Sequence, residues 1–122
     1  MEFLTNRTPA FWSALDELAA TSAVIIDRAK GTPHPRMSDL IYPLDYGYWE
    51  GTVAGDGQGI DVWLGSQTKK MVTAIGCTVD RFKRDAEIKV MLGCTEEDLQ
   101  TISHFLNKAA GLPCVIIKRT KL

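Results

Sequence analysis

Short apolar segments separated by turn-forming residues dominate this chain and limit it to a mixed fold. Most are too short for an independent helix and are rich in valine, isoleucine or aromatic residues, which favour strands. Glycine, proline and aspartate lie between them and favour tight connections. The predicted strands are residues 23–26, 46–52, 60–64, 71–79, 88–92 and 114–117.

Two other stretches show the three- and four-residue spacing of amphipathic helices. The first is predicted from Thr8 as N-cap and Pro9 at the first helical position, and is expected to run to about residue 20. The second follows Thr95–Asp98, which approximates a capping box, and is expected to stop at Gly111. The pattern alone predicts an α+β fold, and its short strands favour a small barrel with helices packed outside.

Bulk properties exclude several classes of protein. The chain has 122 residues, with 14 basic and 15 acidic side chains and a net charge of −1. This length favours a single domain over residues 1–122, and the charge balance does not favour nucleic-acid binding. No apolar run reaches membrane-spanning length and the start does not resemble a signal peptide. Three widely spaced cysteines predict free thiols, so we expect a soluble cytoplasmic protein with no membrane partner.

The stretch from Tyr42 to Asp61 combines tyrosine hydroxyls with an acidic turn that carries Asp56. Mg²⁺ prefers oxygen ligands and binds through a few carboxylates together with substrate phosphate oxygens. Two carboxylates 4 Å apart repel by roughly 4 kcal/mol at an effective dielectric of about 20, so divalent ions stabilise such a cluster. The stretch therefore suggests a Mg²⁺–phosphate site.

These residues resemble the signature of the family I soluble inorganic pyrophosphatases, a YPxNYGY block followed by a D-x-D-P-x-D-V loop. Here the block is Tyr42–Tyr48 and the loop is Asp56–Val62. The resemblance extends over about residues 25–108. It implies a closed, OB-like β-barrel with an N-terminal and a C-terminal helix packed outside, and metal-dependent hydrolysis of inorganic diphosphate. It also implies a homo-oligomer that acts on a small phosphate substrate.

The resemblance also assigns roles to individual positions. The expected catalytic residues are Asp61, Tyr46 and Lys89. The expected substrate-binding residues are Arg36, Tyr42, Tyr46 and Lys108. The expected ligands of Mg²⁺, or of Mn²⁺ in its place, are Asp56, Asp61, Asp80, Asp85 and Glu87. Asp85 and Glu87 compete for one ligand position, because the family has D-x-K where this chain has Glu87-Ile88-Lys89. Asp27 lies where the family has a glutamate at the end of its first strand.

The chain also departs from the family. Gln58 replaces the middle aspartate of the loop, which in the family accepts the nucleophile's proton, and an amide lacks the basicity to do so. Loss of a general base typically costs about 10²–10⁴ in rate. A hairpin that carries a lysine and an arginine in the family is missing, which leaves Arg36 with Lys30 nearby, and Asn107 replaces a tyrosine beside Lys108.

These departures leave three classes of function. In the first, the chain is an enzyme, either a slow diphosphatase or an enzyme for another small phosphorylated substrate. In the second, it binds metal and phosphate without turnover. In a third class of function, it is an interaction domain whose acidic loops are simply solvated. In that case Trp12, Trp49 and Trp63 would serve an interface, although core packing is the more ordinary role for tryptophan.

Overall fold

Two helices and six strands form the part of the chain that the computed structural model describes, residues 9–119. Helix α1 (Pro9–Thr21) comes first, and α2 (Glu96–His104) continues as a π-helical turn, Phe105–Ala109. The strands are β1 (Val24–Arg28), β2 (Asp45–Trp49), β3 (Asp61–Leu64), β4 (Val72–Asp80), β5 (Asp85–Leu92) and β6 (Cys114–Lys118).

The order and approximate bounds of these elements agree with the sequence predictions. The capping box of α2 is confirmed, because Thr95 Oγ1 accepts a hydrogen bond from the Asp98 backbone nitrogen, and the Asp98 side chain accepts one from the Thr95 backbone nitrogen. Helix α1 has Pro9 at its start, whereas the predicted N-cap, Thr8, lies outside the described residues. The cysteines are free, as predicted.

The six strands form one sheet in the order β1-β2-β3-β5-β4-β6. Neighbouring strands are antiparallel, except for the parallel pair β3 and β5. Within residues 9–119, β1 and β6 are edges and do not pair with each other, so the sheet is not closed. The α+β class is therefore observed, but the closed OB-like barrel implied by the resemblance is not confirmed.

Each face of the sheet carries its own core. Successive strand residues point to opposite faces, so Trp63 joins a cluster with Met91 and α2, whereas Val62 joins one with Val90 and α1. Trp12 is 2% exposed, and Trp49 and Trp63 are 0% exposed. The three tryptophans are therefore core residues and do not form an exposed interface. No helix among the described residues is long and apolar enough to span a membrane.

Candidate active site

Lys89 is the centre of a polar cluster on one face of the sheet. Its Nζ atom donates hydrogen bonds to Tyr46 Oη at 2.7 Å, Glu87 Oε1 at 2.7 Å and Asp61 Oδ2 at 3.0 Å. Lys89 is only 4% exposed. A buried ammonium is costly unless it is paired, and these three acceptors satisfy its three donors.

Strand register brings these four side chains together. Parallel pairing of β3 and β5 sets Val62 opposite Val90, so the preceding residues, Asp61 and Lys89, also lie side by side. Tyr46 reaches the same face from β2, where it pairs with Trp63. Glu87 is two residues before Lys89 on β5 and therefore points to the same face. The cluster depends on pairing between three strands and not on any local sequence segment.

Aromatic rings support the cluster from the core side. Lys89 Nζ lies 5.2 Å from the centre of the Tyr46 ring, a cation–π contact. The Tyr46 ring lies 4.7 Å from Trp63 and 5.7 Å from Tyr42, and Tyr42 packs 5.0 Å from Phe105. These packed rings hold the Tyr46 hydroxyl and Lys89 in fixed positions.

The electrostatics of the cluster keep Lys89 charged and Tyr46 neutral. Burial by itself lowers the pKa of Lys89, but the Tyr46 oxygen and the Asp61 and Glu87 carboxylates outweigh it, so the pKa is raised. Burial raises the pKa of Tyr46 despite the nearby ammonium, so its phenol stays protonated. Burial also raises the pKa of Glu87, while Lys89 acts in the opposite direction. The site therefore holds a permanent cation beside a phenol and two carboxyl groups.

Two of the predicted metal ligands accept backbone hydrogen bonds within their own turns, and a third lies farther along β5 from Lys89. Asp56 Oδ1 accepts a hydrogen bond from the Gln58 backbone nitrogen at 2.9 Å, which fixes the turn before β3. Asp80 Oδ1 accepts bonds from the backbone nitrogens of Phe82 and Lys83, at 3.0 and 2.9 Å. Asp85 pairs with Asp80 across the β4–β5 hairpin and lies four positions before Lys89, about 13 Å along the strand. Glu87, and not Asp85, contacts Lys89.

The described side chains consequently do not form the predicted cluster of five carboxylates. Across residues 9–119, no group of three or more histidine, cysteine, aspartate or glutamate side chains is arranged to hold a metal ion. The donor set near Lys89 is smaller, because it consists of the carboxylates of Asp61 and Glu87. Two carboxylates with hard oxygen donors fit Mg²⁺, which commonly binds through one or two carboxylates plus substrate phosphate oxygens.

The predicted substrate-binding residues are dispersed. Tyr42 is buried beside Tyr46, whereas Arg36 is exposed in the loop between β1 and β2 and Lys108 is exposed on the π-helical turn. The neighbour of Lys108, Asn107, has a structural role in this chain. Its side chain donates to the Cys114 carbonyl at 3.1 Å and accepts from the Cys114 backbone nitrogen at 2.8 Å, which joins the turn to β6.

Arg28, which pairs with Tyr46 of this cluster, was not among the residues predicted from the sequence. The register of β1 and β2 sets Arg28 opposite Tyr46, after an irregularity between Ile26 and Arg28. No motif indicated this position, because the irregularity depends on how β1 pairs with β2. Asp27, which the resemblance favoured, is more than half exposed and forms an ion pair with Arg28 at 2.9 Å.

The same arrangement of strands and helices occurs in known structures. The chain superimposes on an inorganic pyrophosphatase from Coxiella burnetii with a TM-score of 0.58 and 16% identity, covering 78% of this chain and 82% of the other. The fold is that of bacterial inorganic pyrophosphatases. The enzyme from Helicobacter pylori gives a TM-score of 0.58 and 16% identity, with 81% and 84% of the two chains covered.

A third solved structure agrees. The inorganic phosphatase from Anaplasma phagocytophilum gives a TM-score of 0.53 and 16% identity, with 78% of this chain and 81% of the other covered. No family model matches this chain, and no curated protein does. At 16% identity these neighbours establish the fold alone, because the chemistry of a site depends on its side chains.

Proposed function

We propose that this protein hydrolyses inorganic diphosphate to two phosphates with the help of Mg²⁺. The observation that carries the proposal is the convergence of Tyr46, Asp61, Glu87 and Lys89 at one point of the sheet. These residues come from three strands, and each occupies a position for which the pyrophosphatase resemblance predicts a site residue. The shared fold supports the same activity at a general level.

Asp61 and Glu87 would hold the metal ion, since they contribute the two carboxylates beside Lys89. When bound, Mg²⁺ supplies a coordinated water of lowered pKa and neutralises charge on the phosphoryl group. Mn²⁺ has similar ligand preferences and would substitute for it.

Lys89 and Tyr46 would orient the diphosphate. The ammonium of Lys89 has a raised pKa and stays charged at neutral pH, so it attracts phosphate oxygens throughout the reaction. Tyr46 keeps its proton and can donate a hydrogen bond to the same group. Because packed rings hold both side chains, little reorganisation is needed when substrate binds.

Gln58 suggests that turnover is slow. It lies on the exposed turn before β3, where its backbone nitrogen binds Asp56, and its amide side chain cannot accept a proton from water. This observation keeps a second function open, in which the domain binds metal and phosphate without turnover. Another small phosphorylated substrate is a further alternative. The proposal also includes a cytoplasmic location and a homo-oligomeric state.

The test is phosphate release from inorganic diphosphate with added Mg²⁺, compared with release from sugar phosphates and nucleoside phosphates. The proposal predicts that diphosphate is the preferred substrate and that a chelator stops the reaction. Faster release from a sugar phosphate or a nucleoside phosphate would assign that compound as the substrate in place of diphosphate. Phosphate binding without release from any of them would favour the non-catalytic function.

A further inference from the structure

A β-bulge at the end of β1 determines which side chain faces the Lys89 cluster. Ile26 pairs with Gly47 and Arg28 pairs with the next residue back on β2, Tyr46, so Asp27 is the extra residue. In a regular ladder Asp27 would lie opposite Tyr46. Cross-strand partners point to the same face, and the bulge therefore presents Arg28 to the face of Tyr46 in place of an acidic side chain. Bulges near active sites commonly re-aim a side chain in this way.

One edge of the Arg28 guanidinium has no acceptor within residues 9–119. Its Nη1 atom donates to Asp27 Oδ2 at 2.9 Å, and its side chain is 26% exposed. The Nε atom is buried and has no hydrogen-bond partner among the described residues. Nε and Nη2 lie on one edge of the planar group, and such an edge can bind two oxygens of one phosphate in parallel. A buried donor without an acceptor is unfavourable, so a small side-chain movement that admits a phosphate oxygen to this edge would supply the missing partner.

The charges around the site favour a further cation. Without a bound metal ion, Asp61 and Glu87 against Lys89 leave one net negative charge, which opposes an approaching diphosphate anion. The Tyr42 side chain is within electrostatic reach of both Arg28 and Lys89: burial raises its pKa, and these two cations act against that rise. Arg28 and Lys89 therefore both act on Tyr42, whose ring packs 5.7 Å from that of Tyr46.

A second titratable group indicates the same positive region. Burial lowers the pKa of His34, and Arg28, Arg36 and Lys83 lower it further. The three cations come from β1, the β1–β2 loop and the β4–β5 hairpin, so three separate elements contribute positive charge near His34. Arg28 is the member of this group that a strand fixes on the face of Tyr46.

We propose that Arg28 binds a phosphate group of the substrate through its Nε–Nη2 edge, while Asp27 holds the other side of the guanidinium. The identity of the substrate as diphosphate rests on the function proposed above, but phosphate binding by Arg28 can be measured without turnover. Arg28 is in this view a substrate-binding residue, and its ion pair with Asp27 is not required for phosphate binding.

The experiment titrates inorganic phosphate into the wild type, Arg28→Gln and Arg28→Lys by calorimetry, and measures diphosphate kinetics with Mg²⁺ in parallel. Loss of a bidentate charged contact should weaken phosphate binding by about 10- to 100-fold in Arg28→Gln and raise KM by a similar factor. Arg28→Lys keeps the charge without the planar edge, so its affinity should fall between the two. Arg81→Gln is the matched control, because Arg81 is exposed on the β4–β5 hairpin and lies over the Phe82 ring in a cation–π contact. The phosphate affinity of this variant should match that of the wild type.

Asp27→Asn separates binding from a purely structural role. It removes the charge partner of Nη1 but leaves the Nε–Nη2 edge, so phosphate affinity should stay within about threefold of the wild type. If Asp27→Asn weakens phosphate binding as much as Arg28→Gln does, the ion pair merely maintains the fold and the proposal is overturned. Wild-type affinity in both Arg28 variants, or no phosphate binding by the wild type, overturns it as well.

The two proposals fail in distinguishable ways. Diphosphate turnover with unchanged phosphate affinity and KM in Arg28→Gln rejects the role of Arg28 and leaves the diphosphatase. Phosphate binding that depends on Arg28 without any turnover supports the binding residue and rejects the diphosphatase.

Discussion

The Nζ atom of Lys89 lies 3.0 Å from Oδ2 of Asp61, although the two residues are 28 positions apart in the chain. Parallel pairing of β3 with β5 creates this contact, and Glu87 completes it from the same strand as Lys89. The ion pair is partly buried, with 5% of the Lys89 side chain and 27% of the Asp61 side chain exposed. It therefore links the stability of the sheet to the chemistry of the site.

Lys89→Met should destabilise the protein strongly. The change leaves two carboxylates without their cation in a partly buried site, and breaking a buried pair typically costs about 3–5 kcal/mol in the free energy of unfolding. Urea unfolding followed by circular dichroism measures it. The control is Lys118→Met, where the ion pair with Glu96 is 60% and 62% exposed and its loss should change stability by about 0.5 kcal/mol or less. Similar losses in the two variants would contradict the assigned burial of Lys89.

Asp98 should make the protein sensitive to acid. Its carboxylate accepts hydrogen bonds from the Ser66 backbone and hydroxyl, both at 2.8 Å, and from the Thr95 backbone at 2.9 Å. Burial raises the pKa of Asp98, but these bonds outweigh it and lower the pKa below the ordinary value of 3.8. The stabilisation is therefore fully present above about pH 4 and is lost as the pH falls through the lowered pKa.

Thermal melts between pH 2 and pH 7 test this assignment. Asp98→Asn should lower the free energy of unfolding by about 1.5 kcal/mol at pH 7 and flatten the acid side of the stability profile. Glu97→Gln, at an exposed position of the same helical turn, should leave the profile unchanged. An Asp98→Asn profile that still falls steeply below pH 4 would assign the acid sensitivity to another carboxylate.

Local features of this fold were predictable from the sequence, whereas features that depend on strand pairing were not. The capping box at Thr95 and the strand at Cys114 follow from neighbouring residues. The ladder that joins Asp61 to Lys89 is not readable from either segment, and only the family resemblance placed both residues in one site. The bulge at Asp27 belongs to the same class, because it exists only when β1 pairs with β2.

The aspartates show that sequence spacing does not by itself identify metal ligands. Asp56 and Asp80 matched the spacing of metal ligands, yet each accepts backbone hydrogen bonds within its own turn. Aspartate favours such turns for local reasons, so spacing alone cannot separate a turn residue from a ligand. Glu87 and Asp85 share a face of β5, and only the contact between Glu87 and Lys89 distinguishes them.

Gln58→Asp should raise the rate of diphosphate hydrolysis. The substitution supplies a carboxylate on the turn before β3, and a general base typically contributes about 10²–10⁴ in rate. The measurement is kcat for phosphate release at saturating Mg²⁺. Gln58→Glu is the matched comparison, since it adds the same charge on a longer side chain and should give a smaller increase. A kcat at or below that of the wild type would show that the missing carboxylate does not limit the reaction.

Mg²⁺ should stabilise the folded protein through Asp61 and Glu87. Binding restricted to the folded state adds about 1.4 kcal/mol to the free energy of unfolding when the ion is at ten times its Kd, which raises Tm by several degrees. Asp61→Asn and Glu87→Gln should each reduce this shift, whereas Glu17→Gln on the exposed side of α1 should preserve it. An undiminished shift in both site variants would place the metal elsewhere.

Phosphate release from diphosphate by the wild type and by Asp61→Asn, each at saturating Mg²⁺, is the most direct test of the proposed site. Asp61 provides a carboxylate beside Lys89 that no other described residue replaces at that position. We predict Mg²⁺-dependent release by the wild type, wild-type rates in Glu17→Gln and no release above background in Asp61→Asn. Equal turnover by the wild type and Asp61→Asn, or no release by the wild type, would contradict the assignment of this site.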